Sequence, residues 1–311
     1  MKAVRFYEYG GPEVLRYEDV DRPRPAAGQV LVRVAATSFN PVDAGIRAGF
    51  LQQVFPVKFP HTPGIDVSGT VAELGEDVTG WSVGDAVVGF LPMTEDGASA
   101  EYVLAPVEVL TYAPSSIPLA DAAALPSASL TAWQALFEQA DLKAGQRVLV
   151  NGAGGGVGGY AVQLAKQAGA FAIATASSRS KDAVEAFGAD QIVDYTQTAV
   201  TDAVTEPIDV VLNLVVVSEQ DMVGLTGLVV DGGAILSTTS PAQEDADRNV
   251  RAVQVFVRSD AGELARIAGR VDSGELRVDV SDRFTLADIA RVHELGAAGE
   301  FRGKVLLTPA T

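Results

Sequence analysis

The sequence predicts an α/β protein in which a doubly wound parallel sheet is joined to a second, β-rich domain. Beyond about residue 120, short apolar runs alternate with amphipathic helical patterns, which is typical of a parallel sheet with helices on both faces. Before that point, short alternating runs are separated by Pro and Gly, which indicates strands joined by turns. The length of 311 residues also exceeds that of one typical domain.

The individual elements follow from these patterns in chain order. The first stretch predicts strands at 29–34, 67–71, 85–89 and 100–103. The second predicts strands at 146–151, 171–176, 191–194, 208–214, 233–237 and 253–257 and helices at 127–139, 157–168, 181–187 and 219–226. The last predicts helices at 264–268 and 286–295 and strands at 277–280 and 304–307. We expect this tail to return to the first domain, giving one domain of residues 1–120 and 261–311 and another of residues 121–260.

A glycine-dense turn lies between the predicted strand 146–151 and the helix that follows it. Glycine lets the backbone turn tightly and come close to a ligand, and the N–H groups at a helix start attract anions. Strand, glycine turn and helix in this order are typical of a Rossmann dinucleotide site. The residues predicted to hold the pyrophosphate are Gly152, Gly155, Gly156, Val157 and Gly158.

The residues after the next strand favour NADP(H) over NAD(H). NAD sites usually carry an Asp or Glu there for the ribose 2′-OH, whereas this chain has the segment Ser177-Ser178-Arg179-Ser180-Lys181. Hydroxyls and cations would bind a 2′-phosphate. The predicted 2′-phosphate ligands are Ser177, Arg179, Lys181 and, after the following strand, Tyr195. The alternative interpretation is a solvated helix start, where Ser is a common cap.

Composition excludes several other functions. The net charge of −17 argues against a nucleic-acid partner or an anionic membrane, and no apolar run approaches the ~20 residues of a membrane span. The chain has no cysteine and two histidines, His61 and His293, which lie far apart, so neither thiol chemistry nor a zinc site is expected. Its first residues enter a strand pattern without a signal-peptide core, so we expect a cytoplasmic protein.

Several short motifs are shared with one family along almost the whole chain. They are Gly10-Gly11-Pro12-Glu13-Val14-Leu15, Asn40-Pro41-Val42-Asp43, Pro63-Gly64-Ile65-Asp66-Val67-Ser68-Gly69, Gly84-Asp85-Ala86-Val87, Ala124-Leu125-Pro126 with Leu130-Thr131-Ala132-Trp133, Gly188-Ala189-Asp190 and Arg302-Gly303-Lys304-Val305. With the glycine turn, these motifs make the chain resemble the zinc-independent quinone oxidoreductase branch of the medium-chain dehydrogenase/reductase superfamily. The resemblance implies a GroES-like substrate domain beside a Rossmann NADP-binding domain.

The same resemblance implies roles for further residues. Asn213 stands where relatives contact the adenosine ribose, and Thr131 resembles a threonine that lies beside the nicotinamide. Asn40 and Asp43 would line the substrate cleft, and Asn40 would donate a hydrogen bond to a carbonyl oxygen. A structural turn before Pro41 is the alternative for Asn40. Other candidates are Phe50 and Phe90 for the substrate pocket and, at late strand ends near the nicotinamide, Ser237, Phe256 and Val257.

Departures from the wider superfamily restrict the chemistry. The cysteine and the Gly-His-Glu motif of its zinc alcohol dehydrogenases are absent, the latter being replaced by Gly64-Ile65-Asp66. A tyrosine that many relatives carry after the Asn-Pro-x-Asp motif is also absent. Quinones and activated C=C bonds accept a hydride without a metal, and their product anions take a proton from water. We therefore expect an NADPH-dependent reductase of quinones or α,β-unsaturated carbonyls.

Two other functions stay open at this stage. An enoyl-thioester reductase would need a basic patch for the carrier phosphate, and Arg47 and Lys58 provide only a thin one. A sensor or structural protein that binds NADPH without turnover would have the same cofactor motifs. Relatives commonly pair edge strands into homodimers, and residues 253–257 are the expected edge here.

Overall fold

The computed structural model describes residues 1–310 of the chain and places them in two compact units. Unit 1 comprises residues 1–127 together with the chain from 259 onwards, and unit 2 comprises residues 128–258. No helix among the described residues has both the length and the apolar character needed to cross a bilayer.

The strands, in chain order, are β1 (Lys2–Arg5), β2 (Arg16–Asp19), β3 (Gln29–Ser38), β4 (Asp66–Leu74), β5 (Ala86–Phe90), β6 (Tyr102–Pro106), β7 (Leu110–Tyr112), β8 (Arg147–Asn151), β9 (Phe171–Ala176), β10 (Gln191–Asp194), β11 (Ile208–Asn213), β12 (Val229–Ser237), β13 (Arg251–Gln254), β14 (Val280–Thr285) and β15 (Lys304–Thr308). The α-helices are α1 (Pro41–Arg47), α2 (Pro126–Trp133), α3 (Gly156–Gln167), α4 (Lys181–Ala186), α5 (Val200–Ala203), α6 (Glu219–Gly227), α7 (Ala261–Asp272) and α8 (Ile289–Ala297).

Unit 1 is built on a mainly antiparallel sheet with the strand order β14-β15-β3-β4-β5-β7, and β6 also pairs with β3. The long strands β3 and β4 carry apolar residues toward a core that includes Val32, Val67 and Val87. The tail contributes directly to this sheet, because β15 pairs with β3 through Leu306 and Ser38. Unit 1 is the GroES-like part of the fold.

Unit 2 is a Rossmann-type sheet of six parallel strands in the order β10-β9-β8-β11-β12-β13. The order reverses between β8 and β11, which is the position where doubly wound sheets bind nucleotides, at the carboxyl ends of the strands. Fully buried side chains such as Leu149, Ile173 and Ile235 form the core. The predicted α/β class, with its parallel sheet and β-rich domain, is confirmed.

Several predicted elements have other bounds in the structure, including the following four. The helix predicted at 127–139 is α2 followed by a π-helical segment, Gln134–Gln139. The strand predicted at 100–103 lies at 102–106, and that predicted at 253–257 lies at 251–254. The prediction of a strand at 277–280 was wrong, because β14 begins only at Val280. Its position is set by parallel pairing with β15 rather than by local alternation.

Candidate functional site

The glycine turn of unit 2 is a tight loop between β8 and α3. Gly152 has φ +99°, a value that favours glycine, and its N–H donates to Thr175 Oγ1 at 2.8 Å. A Cβ at Gly158 would lie 2.5 Å from Cα of Ala153 and closer still to the carbonyl oxygen of Gly152. Side chains are thus excluded at both ends of the turn, so the loop can close this tightly only with glycine at these positions.

The first turn of α3 presents unpaired backbone donors. Within the described residues no protein group accepts a hydrogen bond from the N–H of Gly156, Val157 or Gly158, and the first turn has no acidic side chain. Gly155, the cap, is exposed, and a Cβ there would meet only Gly152 O, at 3.5 Å. These features fit a pyrophosphate bound by backbone N–H groups.

A short basic turn, residues 177–181, connects β9 to α4. Ser177 is half-buried, whereas Arg179 and Lys181 are exposed. Tyr195, after β10, is 53% exposed. Asp194 is the neighbouring carboxylate: hydrogen bonds from Thr196 lower its pKa, and the charge of Lys181 acts in the same direction. The turn therefore presents hydroxyl and cationic groups to solvent, as binding a 2′-phosphate would require.

A chain of buried neutral groups joins the carboxyl ends of four strands. Thr175 Oγ1 accepts from the Gly152 N–H and donates to Asn151 Oδ1 at 3.0 Å. Asn151 Nδ2 donates to Asn213 Oδ1 at 2.8 Å, and Asn213 Nδ2 donates to Ser237 Oγ at 3.1 Å. Asn213 Nδ2 also donates to the carbonyl oxygen of Val215 at 2.8 Å, and because a carbonyl oxygen can only accept, this bond fixes the orientation of both amides. Asn213 and Ser237, predicted separately, are therefore brought together.

The other predicted cofactor residues occupy varied surroundings. Thr131 is buried in α2, at 7% exposure. Phe256 is 68% exposed and, like Val257, lies beyond the end of β13. Their contacts with a nicotinamide stay a prediction.

Unit 1 contains a buried charged cluster around Asp66, which is fully buried at the start of β4. Asp66 Oδ2 accepts from Ser38 Oγ at 2.6 Å, Ser127 Oγ at 2.8 Å and Asn40 Nδ2 at 2.9 Å, and Lys304 Nζ lies 3.4 Å away. Lys304, on β15, donates to Asn40 Oδ1 at 2.6 Å. The second hydrogen of Asn40 Nδ2 faces the carbonyl oxygen of Ser38 at 3.3 Å. The amide of Asn40 is therefore fully engaged with protein groups.

Asp43 extends this cluster along α1. Its Oδ2 accepts from the N–H of Asn40 at 3.2 Å, and its Oδ1 accepts from the N–H of Gly64 at 3.0 Å. Burial raises the pKa of Asp43 to about 7, and the nearby carboxylate of Asp66 adds to this effect. Burial also lowers the pKa of Lys304, while Asp66 and Asp43 act against it. Asn40 is the N-cap of α1, immediately before Pro41, which matches the structural turn considered as its alternative role.

Three further basic groups of unit 1 are buried. Arg47 is 6% exposed, donates to the carbonyl oxygen of Gly10 at 3.2 Å and faces His293 Nδ1 at 3.3 Å. Burial, together with the charge of Arg47, lowers the pKa of His293 to about 3, so this ring is neutral near pH 7. His61 is also buried, which lowers its pKa.

The two predicted pocket aromatics differ greatly in exposure. Phe50 is 85% exposed in the turn after α1, whereas Phe90 is 3% exposed at the end of β5. Phe90 pairs with Asp66 across the sheet. Their roles toward a substrate stay predictions.

Sequence reasoning assigned no role to the residues that complete these networks. In unit 1 they are Ser38, Asp66, Ser127 and Lys304, and in unit 2 they are Asn151 and Thr175. Asp66 and Lys304 each stood in a family motif, and a charge beside an apolar strand was the available signal. Asp66 and Lys304 are 238 positions apart in the sequence, so no local pattern could predict that they pair.

The residues present do not fit a zinc ion. The best-placed carboxylate, Asp66, is saturated by hydrogen-bond donors and lies beside the ammonium of Lys304. The chain offers no thiolate, and the described residues contain no group of three His, Asp or Glu able to hold a metal.

Comparisons with known sequences match both parts of the chain. Residues 26–115 match the family described as alcohol dehydrogenase GroES-like domain, and residues 187–307 match the family described as zinc-binding dehydrogenase. A chloroplastic quinone-oxidoreductase homolog of Spinacia oleracea is 40% identical over 63% of this chain, but the match spans only 61% of that protein. The chloroplastic quinone-oxidoreductase QR1 of Triphysaria versicolor is 30% identical, with 99% of this chain and 98% of the relative covered.

Solved structures agree with these relatives. The quinone oxidoreductase from Coxiella burnetii is 32% identical, with a TM-score of 0.90 and coverage of 100% of this chain and 99% of that one. A mycobacterial protein, Rv1454c, solved in complex with NADPH, is 29% identical, with a TM-score of 0.85 and coverage of 99% and 100%. The chain belongs to the medium-chain dehydrogenase/reductase superfamily, in its zinc-independent quinone oxidoreductase branch.

Proposed function

We propose that the protein is an NADPH-dependent reductase that transfers a hydride to quinones or α,β-unsaturated carbonyls without a metal. The observation that carries the proposal is the pairing, within unit 2, of a glycine turn with unpaired N–H groups and a basic turn that lacks a carboxylate. The names of the relatives support the quinone class, and the mycobacterial neighbour solved with NADPH supports the cofactor.

Three groups of residues would bind the cofactor. The N–H groups of Gly156, Val157 and Gly158 would bind the pyrophosphate, since they have no acceptor among the described residues. The basic turn would bind the 2′-phosphate through Ser177, Arg179 and Lys181, with Tyr195 beside it. Asn213 would contact the adenosine ribose, and Thr131, Ser237, Phe256 and Val257 the nicotinamide.

NADPH, when bound, supplies the hydride, so the chain's own residues mainly bind and orient. Quinones and enones need no metal because their product anions are stabilised by conjugation and take a proton from water. Asn40 is proposed to face the substrate carbonyl. Because its amide hydrogens already have partners in Ser38 and Asp66, this role requires one of these bonds to be exchanged for the substrate. Asp43, Phe50 and Phe90 are proposed as substrate contacts on the resemblance.

The enoyl-thioester alternative receives less support. Of the two cations proposed for a carrier phosphate, Arg47 is buried and bonded to Gly10 O.

We further propose a cytoplasmic homodimer. Its contact would involve the outer edge of β13, which pairs within its sheet with β12 alone in the part of the chain that the structure describes. Light scattering in solution tests this state, and a monomer at all concentrations would exclude it.

The first experiment is NADPH oxidation by the purified protein with 1,4-benzoquinone, 9,10-phenanthrenequinone, a short 2-alkenal and an enoyl thioester. Turnover with quinone or alkenal, and little with NADH, is the expected result. Turnover with the thioester alone would favour the alternative enzyme. NADPH binding without turnover on the whole panel would point to a sensor. Metal analysis of the same preparation should find no stoichiometric zinc.

Replacement of Arg179 and Lys181 by Ala tests the cofactor preference. We expect the affinity for NADPH to fall by about a hundredfold and that for NADH to change little, because two charge-assisted contacts are lost. Lys143→Ala is the control, since Lys143 is an exposed cation elsewhere in unit 2. Equal loss of both cofactors would exclude the 2′-phosphate role.

A further inference from the structure

The glycine turn and the basic turn of unit 2 touch at Gly154 and Ser180. A Cβ at Gly154 would lie 2.6 Å from Cβ of Ser180 and still closer to its Oγ. The φ of Gly154 is outside the left-handed region, so the backbone itself does not require glycine at this position. A side chain at position 154 would instead require Ser180 to move, because Ser180 occupies the space that it would need.

Ser180 in turn holds the basic turn in its shape. It is 6% exposed, although its neighbours Arg179 and Lys181 are exposed. Its Oγ accepts from the N–H of Ser177 at 3.3 Å. The N–H groups of Ser180 and Lys181 both donate to the carbonyl oxygen of Ser177 at 3.0 Å. Ser180 is therefore the buried side of a turn whose other face presents the proposed phosphate ligands.

We propose that the contact between Gly154 and Ser180 is a determinant of cofactor specificity. The contact positions the basic turn so that the side chains of the turn bind the 2′-phosphate. The inference rests on the proposed function, since NADPH and NADH differ in that phosphate alone. Ser180 acts as a positioning residue and does not itself contact the phosphate.

The structure also indicates which partner moves when this contact is crowded. The glycine turn is fixed by the Gly152–Thr175 hydrogen bond, by the bond from the Gly155 N–H to Gly152 O at 3.1 Å, and by the close packing of Gly158 on Ala153. The basic turn has solvent on its outer side. A side chain at Gly154 should therefore displace the basic turn and leave the pyrophosphate loop in place.

Titration of NADPH and NADH into full-length variants, followed by calorimetry, tests the inference. Gly154→Ala should raise the Kd for NADPH about tenfold and the Kd for NADH less than twofold, because charge-assisted bonds to the 2′-phosphate weaken selectively. The matched change Gly155→Ala meets nothing nearer than 3.5 Å in the protein but lies where pyrophosphate is expected, so it should affect both cofactors alike.

The double variant Gly154→Ala/Ser180→Gly supplies the decisive comparison. Removing the Ser180 side chain relieves the clash, so the loss of NADPH affinity should be smaller than the sum of the single losses. Additive losses, or an unchanged NADPH-to-NADH ratio in Gly154→Ala, would overturn the inference. If circular dichroism shows that Gly154→Ala is unfolded, Ser180→Thr crowds the same contact from the other side and should give the same selective loss; equal loss of both cofactors would then overturn it. A wild-type protein without NADPH preference would instead overturn the proposed function.

Discussion

Buried ionisable side chains distinguish the two units. Among the described residues, every Asp, Glu, Lys, Arg or His that is buried belongs to unit 1: Asp43, Arg47, His61, Asp66, Glu263, His293 and Lys304. The buried polar groups of unit 2, such as Thr175, Asn151 and Asn213, are neutral. Unit 1 thus has an ionic interior whose stability depends on pairing and on pH, whereas the buried polar groups of unit 2 do not titrate near neutral pH.

This difference has a physical consequence for each unit. In unit 1 two carboxylates, Asp43 and Asp66, lie near one ammonium, that of Lys304, and burial, with the charge of Asp66 adding to it, raises the pKa of Asp43. In unit 2 the hydrogen-bond chain beneath the glycine turn carries no charge, so no buried carboxylate there would repel the phosphates of a dinucleotide.

The two tryptophans of the chain allow the units to be followed separately. Trp81 packs against Tyr112 in unit 1, and Trp133 packs against Phe137 in unit 2. A Trp133→Phe background therefore reports unfolding of unit 1 by fluorescence, and a Trp81→Phe background reports unit 2. Differences between variants within one such background therefore isolate the stability of a single unit.

Lys304→Met should produce the largest loss of stability. It leaves Asp66 buried without its ammonium, and breaking a buried pair in this way costs about 4 kcal/mol in the free energy of unfolding. Urea unfolding in the Trp133→Phe background measures the loss in unit 1. The matched variant Lys304→Met/Asp66→Asn removes both charges and should recover about half of it. If Lys304→Met were as stable as its parent, the cluster would contribute nothing to folding.

Acidification should act on unit 1 through His293. Its pKa of about 3 in the folded chain lies below the unfolded value of about 6.5. Its contribution to the stability of unit 1 is therefore complete above pH 6.5 and is lost as the pH falls. Between pH 7 and pH 5 the loss is about 2 kcal/mol. His293→Gln keeps an acceptor for Arg47 but does not titrate, so the pH dependence should be reduced by this amount. Identical pH profiles for parent and variant would contradict the buried neutral ring.

Titration of Asp43 changes the stability of unit 1 in the opposite direction to that of His293. Comparison of His293→Gln with its parent separates the two effects. Its raised pKa means that the folded state holds a proton more tightly than the unfolded chain, so stability declines as the pH rises from about 4 to about 7. The pH dependence of stability that His293→Gln removes does not include the contribution of Asp43, since Asp43 is present in both proteins.

Local patterns predicted most of unit 2 but little of the interior of unit 1. The strands Phe171–Ala176 and Gln191–Asp194 have the predicted bounds, because buried parallel strands are short apolar runs that a sequence displays directly. The glycine turn was identified for the same reason, since its requirement for glycine is local. Asp66 and Lys304 meet only after β4 and β15 have both joined the sheet through β3. The contact of Gly154 with Ser180 likewise depends on how two loops pack, which spacing alone does not encode.

Thr175→Val should give the smallest effect and completes the comparison between the units. Valine keeps the shape of threonine but removes the hydroxyl that accepts from Gly152 and donates to Asn151, which costs about 1 kcal/mol in the unfolding of unit 2. Because no ionisable group takes part, this cost should be the same from pH 5 to pH 8, unlike the losses in unit 1. Urea unfolding of the Trp81→Phe background at both pH values measures it, and Thr175→Ser, which keeps the hydroxyl, is the control. A cost that varied with pH would mean that the interior of unit 2 contains a titrating group, and the contrast between the two units would then fail.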